Sequence, residues 1–117
     1  MINLEKNIID RKIDGKFGVL LYEDGSIYSG YFNNNKPDKH AKITHISGET
    51  YLGEISESRI TGYGTFVNFA AAEYKGFWQN ETQHGYGIES WNDGSKFTGL
   101  FEDGKKILGV YNWKDGS

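Results

Sequence analysis

One spacing governs this chain. Tyr28, Tyr51, Tyr74 and Phe97 stand 23 residues apart, and Gly30, Gly53, Gly76 and Gly99 repeat the step two positions later. Two further series, Gly25/Gly48/Ala71/Gly94 and Gly18/Ala41/Gly64/Gly87, run in the same register. Gly109 extends the last series at a step of 22, so one residue is missing between Phe101 and Gly109. A fixed period of about 20–50 residues specifies a repeat architecture, in which each unit buries its apolar face only by stacking on its neighbours.

Each unit reads as strand. Ser26–Phe32, Glu49–Ile55, Glu73–Trp78 and Ser95–Phe101 are short, aromatic-rich and bounded by turn residues. Period-two alternation places Tyr28/Gly30/Phe32, Tyr51/Gly53/Ile55, Tyr74/Gly76/Trp78 and Phe97/Gly99/Phe101 on one face, the glycine leaving room for neighbouring rings. A second set of strands runs Phe17–Tyr22, His40–His45, Tyr63–Asn68, Tyr86–Trp91 and Leu108–Trp113. Asp24-Gly25 and Asp93-Gly94 between the sets suit hairpin turns with positive φ. The expectation is an all-β, elongated, single-layer antiparallel meander of about nine short strands, on the order of 40 Å long at about 4.8 Å per strand.

A helical reading fails over most of the chain. Glycine recurs inside the periodic segments at a cost of about 1 kcal/mol each relative to alanine, and no three-to-four apolar spacing is sustained after residue 15. Ile2–Asp10 is the one stretch that suits a short helix, as a cap over the first sheet edge. The chain therefore divides into an N-terminal cap segment, residues 1–14, and a repeat sheet, residues 15–117, of about four units with the last incomplete.

Composition narrows the function. The 16 glycines in 117 residues are about twice the usual share, against a single proline, and carry no third-residue period, while 15% aromatic content argues against a flexible linker. With no cysteine, thiolate catalysis, disulfides and cysteine-based metal sites are excluded. A formal charge of −3 argues against nucleic acid as a partner. The charged start and short apolar runs lead to the expectation of a soluble, cytoplasmic chain.

The combination Tyr-x-Gly-x-Phe/Trp, a loop, Gly-x-Gly and an Asp-Gly turn within 23 residues resembles the MORN (membrane occupation and recognition nexus) repeat. The best copies are Tyr74-Lys-Gly-Phe-Trp78 and Gly85-Tyr-Gly87, and the resemblance covers about Gly15 to Ser117. The sequence departs from the pattern at Lys39 and Ala41, where paired glycines belong, at Pro37 in the same loop, and at Ala71 in a turn. The resemblance implies a non-enzymatic interaction or scaffold module. From family usage it implies a cytoskeletal or ciliary assembly such as a radial spoke, with localisation at the cytoskeleton, cilium or axoneme.

No residue set points to chemistry, cofactor or metal. His40 and His84 occupy different places in their units, Gly62-Tyr-Gly64 and Gly85-Tyr-Gly87 lack the third glycine and helix of a dinucleotide loop, and the Asp-Gly turns lack alternating calcium ligands. What recurs is a surface. Phe17, His40, Tyr63, Tyr86 and Leu108, beside or between the paired glycines, form one row, which in MORN proteins lines a groove. Tyr31, Glu54, Phe77 and Leu100, on the alternate face of the first strands, vary from unit to unit as specificity positions would. Tyr31, Tyr63, Phe77 and Tyr86 are the expected anchors for a protein partner. The alternative is a phosphoinositide- or membrane-targeting module using Lys36–Lys42 and Lys105-Lys106, disfavoured by the negative overall charge. Trp113–Ser117 leaves the last sheet edge uncovered, which points to a chain that continues in the native protein, to edgewise docking on a partner or to dimerisation.

Overall fold

The structure is a computed structural model, described for residues 4, 6–68 and 72–114. It is one antiparallel sheet of ten strands in simple meander order: β1 (Ile8–Asp14), β2 (Phe17–Tyr22), β3 (Ile27–Asn33), β4 (Lys36–Thr44), β5 (Thr50–Ser56), β6 (Arg59–Val67), β7 (Glu73–Gln79), β8 (Thr82–Ser90), β9 (Lys96–Glu102) and β10 (Lys105–Asn112). The all-β meander is as the repeat predicts. The N-terminal helix is not: residues 8–14 are a strand, and no helix occurs among the described residues. Gly15, at φ 65°, turns β1 onto β2 so that Ile13 pairs with Gly18 and Asp14 with Phe17. β1 lacks the Tyr-x-Gly signature, so the period could not reveal it. The Ala71 turn position and residues 115–117 lie outside the described residues.

A row of small residues crosses the sheet: Gly18, Gly30, Ala41, Gly53, Gly64, Gly76, Gly87, Gly99 and Gly109 are successive cross-strand partners. Aromatic rings occupy the space this row leaves. A Cβ at Gly87 would lie 2.5 Å from the Tyr74 ring, and one at Gly109 2.6 Å from Cζ of Phe97. The rings of one unit also meet those of the next edge-on, Tyr51 with Trp78 at 5.8 Å and Tyr74 with Phe101 at 5.0 Å between centroids. Trp78 is the hub, also touching Phe66 and Tyr74 and donating Nε1–H to the Gly64 carbonyl at 3.2 Å.

The segments expected as loops after Phe32, Ile55 and Trp78 are tight turns followed at once by strand. Asn34-Asn35, Glu57-Ser58, Asn80-Glu81 and Asp103-Gly104 all have positive φ, the geometry of two-residue hairpin turns that match strand twist. The strands then slip register: Gly53 pairs with Gly64 but Ile55 with Ile60, and the same offset follows Gly30 and Gly76. This bulge, with positive φ at Lys39, Gly62 and Gly85, bends each hairpin. Successive hairpins are tied by Ser58, Glu81 and Gly104, whose backbone N–H groups donate to the carbonyls of Pro37, Ile60 and Gln83 at 2.9 Å.

The result is long and thick, not flat. A straight nine-residue strand spans about 30 Å, yet the molecule measures 50 × 24 × 20 Å. Its radius of gyration of 15.3 Å exceeds the roughly 13 Å expected of a compact chain of this length. The sheet curls over one face, and Tyr28, Ile43, Tyr51, Ile55, Ile60, Tyr74, Trp78, Phe97 and Phe101 are buried there without a second layer. The unit with Pro37, Lys39 and Ala41 keeps the common register, Pro37 opposite Phe32 and Ala41 between Gly30 and Gly53. The missing residue falls in the last bulge: Lys106 pairs with Phe101 and Leu108 with Leu100, leaving Ile107 alone between them.

Candidate functional site

The two faces of the sheet differ in kind. The inner face is filled, and its tyrosines serve the fold. Tyr28, Tyr51 and Tyr74 donate their hydroxyls to the carbonyls of Tyr31, Glu54 and Phe77 at 2.5, 2.8 and 2.8 Å. Burial pushes these phenols up, Tyr74 to about 12 and Tyr28 and Tyr51 further, because the anion would lose its water. Such groups do not ionise near neutral pH and offer no acid or base for catalysis.

The outer face is bare and apolar. Phe17 pairs with Tyr31, His40 with Glu54, Tyr63 with Phe77 and Tyr86 with Leu100, while Leu108 pairs with Leu100. Residues directly opposite in a ladder share a face, so the two sets of sequence-predicted positions form one double row. The rings of Phe17 and Tyr31 meet edge-on at 5.4 Å, as do those of Tyr63 and Phe77 at 5.5 Å. Phe17, Tyr31, Tyr63, Phe77, Tyr86 and Leu100 are each about half-exposed, and Leu108 is 70% exposed. His40 and Glu54 interrupt the row with a polar step between its two aromatic stretches. The groove implied by resemblance is here an open stripe on the outside of the curled sheet.

Sequence reading missed a second stripe. Val19, Leu52, Ile88 and Val110 lie one alternation further along the same strands, also exposed, interspersed with Lys12, Lys42 and Lys75. The signal was available: these residues have the parity of the aromatic row. The lysines of the proposed basic stretches do not act together. Lys36, Lys42 and Lys105 lie on the outer face, whereas Lys106 turns inward to pair with Glu89 at 2.8 Å and to cover the Trp91 and Phe97 rings.

Titratable groups gather at one other place, where they hold the N-terminal arm. Lys6 Nζ contacts Asp24 Oδ2 at 2.6 Å and the buried Ser26 hydroxyl at 3.0 Å, and His45 Nε2 approaches the same carboxylate oxygen at 3.6 Å. The Lys6 bond, then the Ser26 backbone N–H, holds the Asp24 carboxyl well below the usual carboxylate range. His45 Nδ1 is spent on the Ser47 hydroxyl at 2.7 Å and backbone N–H at 3.1 Å. No group of three or more His, Asp or Glu residues is arranged to hold a metal ion among the described residues.

Hairpins in strict succession, one face packed by their own rings and the other left open, define a repeat-array platform. Within that class the unit is recognisable: residues 74–96 match the MORN repeat, so the chain carries at least one MORN unit in the 23-residue register that the rest of the sheet shares. MORN repeats are non-catalytic modules that bind proteins or membrane lipid. The chain is 27% identical to the proteins named alsin from human and mouse over 91% of its length, and 28% identical to that of rat over 86%. It spans about 7% of the length of these relatives.

Proposed function

We propose that the outer face is a docking platform for protein, with Tyr31, Tyr63, Phe77 and Tyr86 as anchors, and that the module serves as a cytoplasmic scaffold component of a cytoskeletal or ciliary assembly. The observation that carries the reading is the double row itself: paired rings held edge-on by backbone ladder, half-exposed, on the face the core does not use. Rigid aromatics of this kind bury large area at little cost in side-chain entropy and dominate binding energy. The structural inner face supports a non-enzymatic role, since the hydroxyls of Tyr28, Tyr51 and Tyr74 are engaged in the fold.

The decisive variant replaces Tyr63 and Tyr86 by alanine. Both side chains are clear of the core, so the sheet's circular dichroism stays unchanged, and the melting temperature falls only by what the Tyr63–Phe77 cross-strand contact is worth, about 0.5–1.5 kcal/mol. Capture of cytoskeletal or axonemal proteins from lysate, identified by mass spectrometry, falls at least tenfold. Undiminished capture removes the aromatic row from the reading. Lys12, Lys42 and Lys75 on the same face favour a second reading, attraction to anionic membrane; cosedimentation with phosphoinositide vesicles that weakens with salt identifies it.

A further inference from the structure

We propose that the second outer stripe seats an extended acidic segment of a partner protein, of the pattern acid-x-apolar-x-acid-x-apolar-x-acid, laid across the strands. This placement rests on the reading of the outer face as a protein platform and adds to it a stripe that the aromatic anchors do not include. Followed through the ladder, the stripe has an order of its own. Lys12, Lys42 and Lys75 stand on β1, β4 and β7; Val19, Leu52 and Ile88 follow them on β2, β5 and β8, and Ser29, Thr65 and Thr98 on β3, β6 and β9. Lysine, aliphatic, hydroxyl thus recurs three times before Val110 on β10 breaks the series. The fold does not impose this order. Its unit is two strands, so a stripe inherited from the repeat would alternate with period two. In the 23-residue register Ser29, Leu52, Lys75 and Thr98 are equivalent positions, as are Val19, Lys42, Thr65 and Ile88, and each set varies in chemistry so as to give a period of three.

Charge selects the occupant. The chain carries a formal charge of −3, yet the stripe holds three lysines and no carboxylate, all three lysines exposed. Lys12 and Lys42 make no ion pair among the described residues, and Lys75 only approaches Glu73 at 3.6 Å, an exposed pair of the kind that contributes little. Asp10 and Asp14 flank Lys12 along β1, so Lys42 and Lys75 offer the less compensated charge. Three strand steps, about 14 Å, separate one lysine from the next, more than the Debye length of about 8 Å at physiological ionic strength. Each lysine therefore acts as a separate point charge. That suits carboxylates fixed in a line better than an anionic membrane, whose pull requires clustered basic residues.

Spacing selects the conformation. An extended chain advances about 3.4 Å per residue with alternate side chains on one side, so acids at every fourth residue fall about 13.6 Å apart, in step with the lysines. The residues midway between them fall on Val19 and Ser29 and on Leu52 and Thr65, where an apolar side chain meets the aliphatic member and the hydroxyls serve the segment's main chain. A helix does not match: ten residues advance it about 15 Å but leave the tenth side chain about 80° off the line. Neighbouring strands also rotate by about 20–25°, a turn that an extended segment follows and a rigid helix does not.

The test uses the full chain and the fluorescent peptide ESVSESVSE. Saturable binding by anisotropy is expected, weaker as salt is raised. Lys42→Gln and Lys75→Gln each weaken it at least threefold and together at least tenfold; both side chains are exposed, so the sheet's circular dichroism is unchanged. A peptide of the same composition with its three glutamates adjacent binds at least tenfold more weakly. Carbodiimide, which couples a carboxylate to an amine in contact with it, attaches the peptide to Lys42 and Lys75. Absence of binding at about 1 mM peptide, equal binding of the rearranged peptide, or coupling chiefly to Lys36, Lys105 or Lys106 overturns the proposal. So does binding of phosphoinositide vesicles that the double lysine variant abolishes while no peptide binds, which assigns the lysines to membrane. Tyr63→Ala/Tyr86→Ala keeps the peptide; loss there assigns it to the aromatic row and overturns the proposal as well. If that variant keeps both the lysine-dependent peptide and its capture of lysate proteins, the aromatic anchors fail and the lysine stripe stands.

Discussion

Tyrosine hydroxyls separate the structural aromatics from the merely apolar ones. In three units the hydroxyl at the head of the strand donates to the carbonyl three residues on, and in the fourth Phe97 has no group to donate. These carbonyls sit where the ladder slips, so the tyrosine satisfies an acceptor at the site of disrupted pairing. Tyr51→Phe is expected to cost about 1 kcal/mol in urea denaturation, the net worth of an intramolecular hydrogen bond. Tyr22 is the control. Its hydroxyl is buried without a partner among the described residues, so Tyr22→Phe is expected to change stability by less than about 0.5 kcal/mol or to stabilise. Equal costs for the two variants would show that the hydroxyl target is irrelevant. The sequence pointed to Tyr51 and Gly53 as a packed pair because their spacing alone places them on one face. It was silent on the hydroxyl's acceptor, which exists only once the bulge has turned the Glu54 carbonyl inward.

At the scale of the strand, the bulge explains the two-glycine signature better than packing alone does. Gly62 and Gly85 adopt φ of 83° and 85°, and Lys39 holds the same place at 72°. A side chain in this region costs about 1–2 kcal/mol, partly offset by the greater freedom glycine has in the unfolded chain. Lys39→Gly is thus expected to stabilise by about 0.5–1 kcal/mol, read as a rise in thermal midpoint; a fall would mean that Lys39 makes compensating contacts. The segment before the paired glycines was legible only as a loop, since no alternation survives a register slip. β1 was hidden for a different reason. Its Ile8 and Ile13 follow β2 by pairing, with no repeat unit of their own, and two isoleucines five residues apart suit a strand or a helix equally.

The whole molecule stores four buried phenols on one face, and this gives it an alkaline limit. The folded sheet holds Tyr22 and Tyr74 neutral up to about 12, and Tyr28 and Tyr51 beyond that, whereas an unfolded tyrosine ionises near 10 (about 10 in peptides). Between these values the unfolded chain gives up protons that the folded chain keeps, so stability falls as pH rises; below about 10 the contribution is complete. Melting temperature should be insensitive to these groups near neutrality and drop steeply above about pH 10. Tyrosinate absorbance from these four should appear together with loss of sheet circular dichroism. Phenols that titrate near 10 in an intact sheet would contradict the burial.

The meander and its filled face were legible because a 23-residue period propagates through every level from turn to core. The position of the proposed binding stripe was only half legible: alternation picked out Tyr31, Phe77 and Leu100, but their union with Phe17, Tyr63 and Tyr86 depends on cross-strand register. That same register, in which each strand touches only its sequence neighbours, has a consequence for reach. Each unit adds two strands, about 10 Å, and removing or inserting one leaves every other junction as it was. The span between sites at opposite ends of such a platform is therefore a stepped quantity, a ruler whose length evolution can reset one hairpin at a time without redesigning any contact.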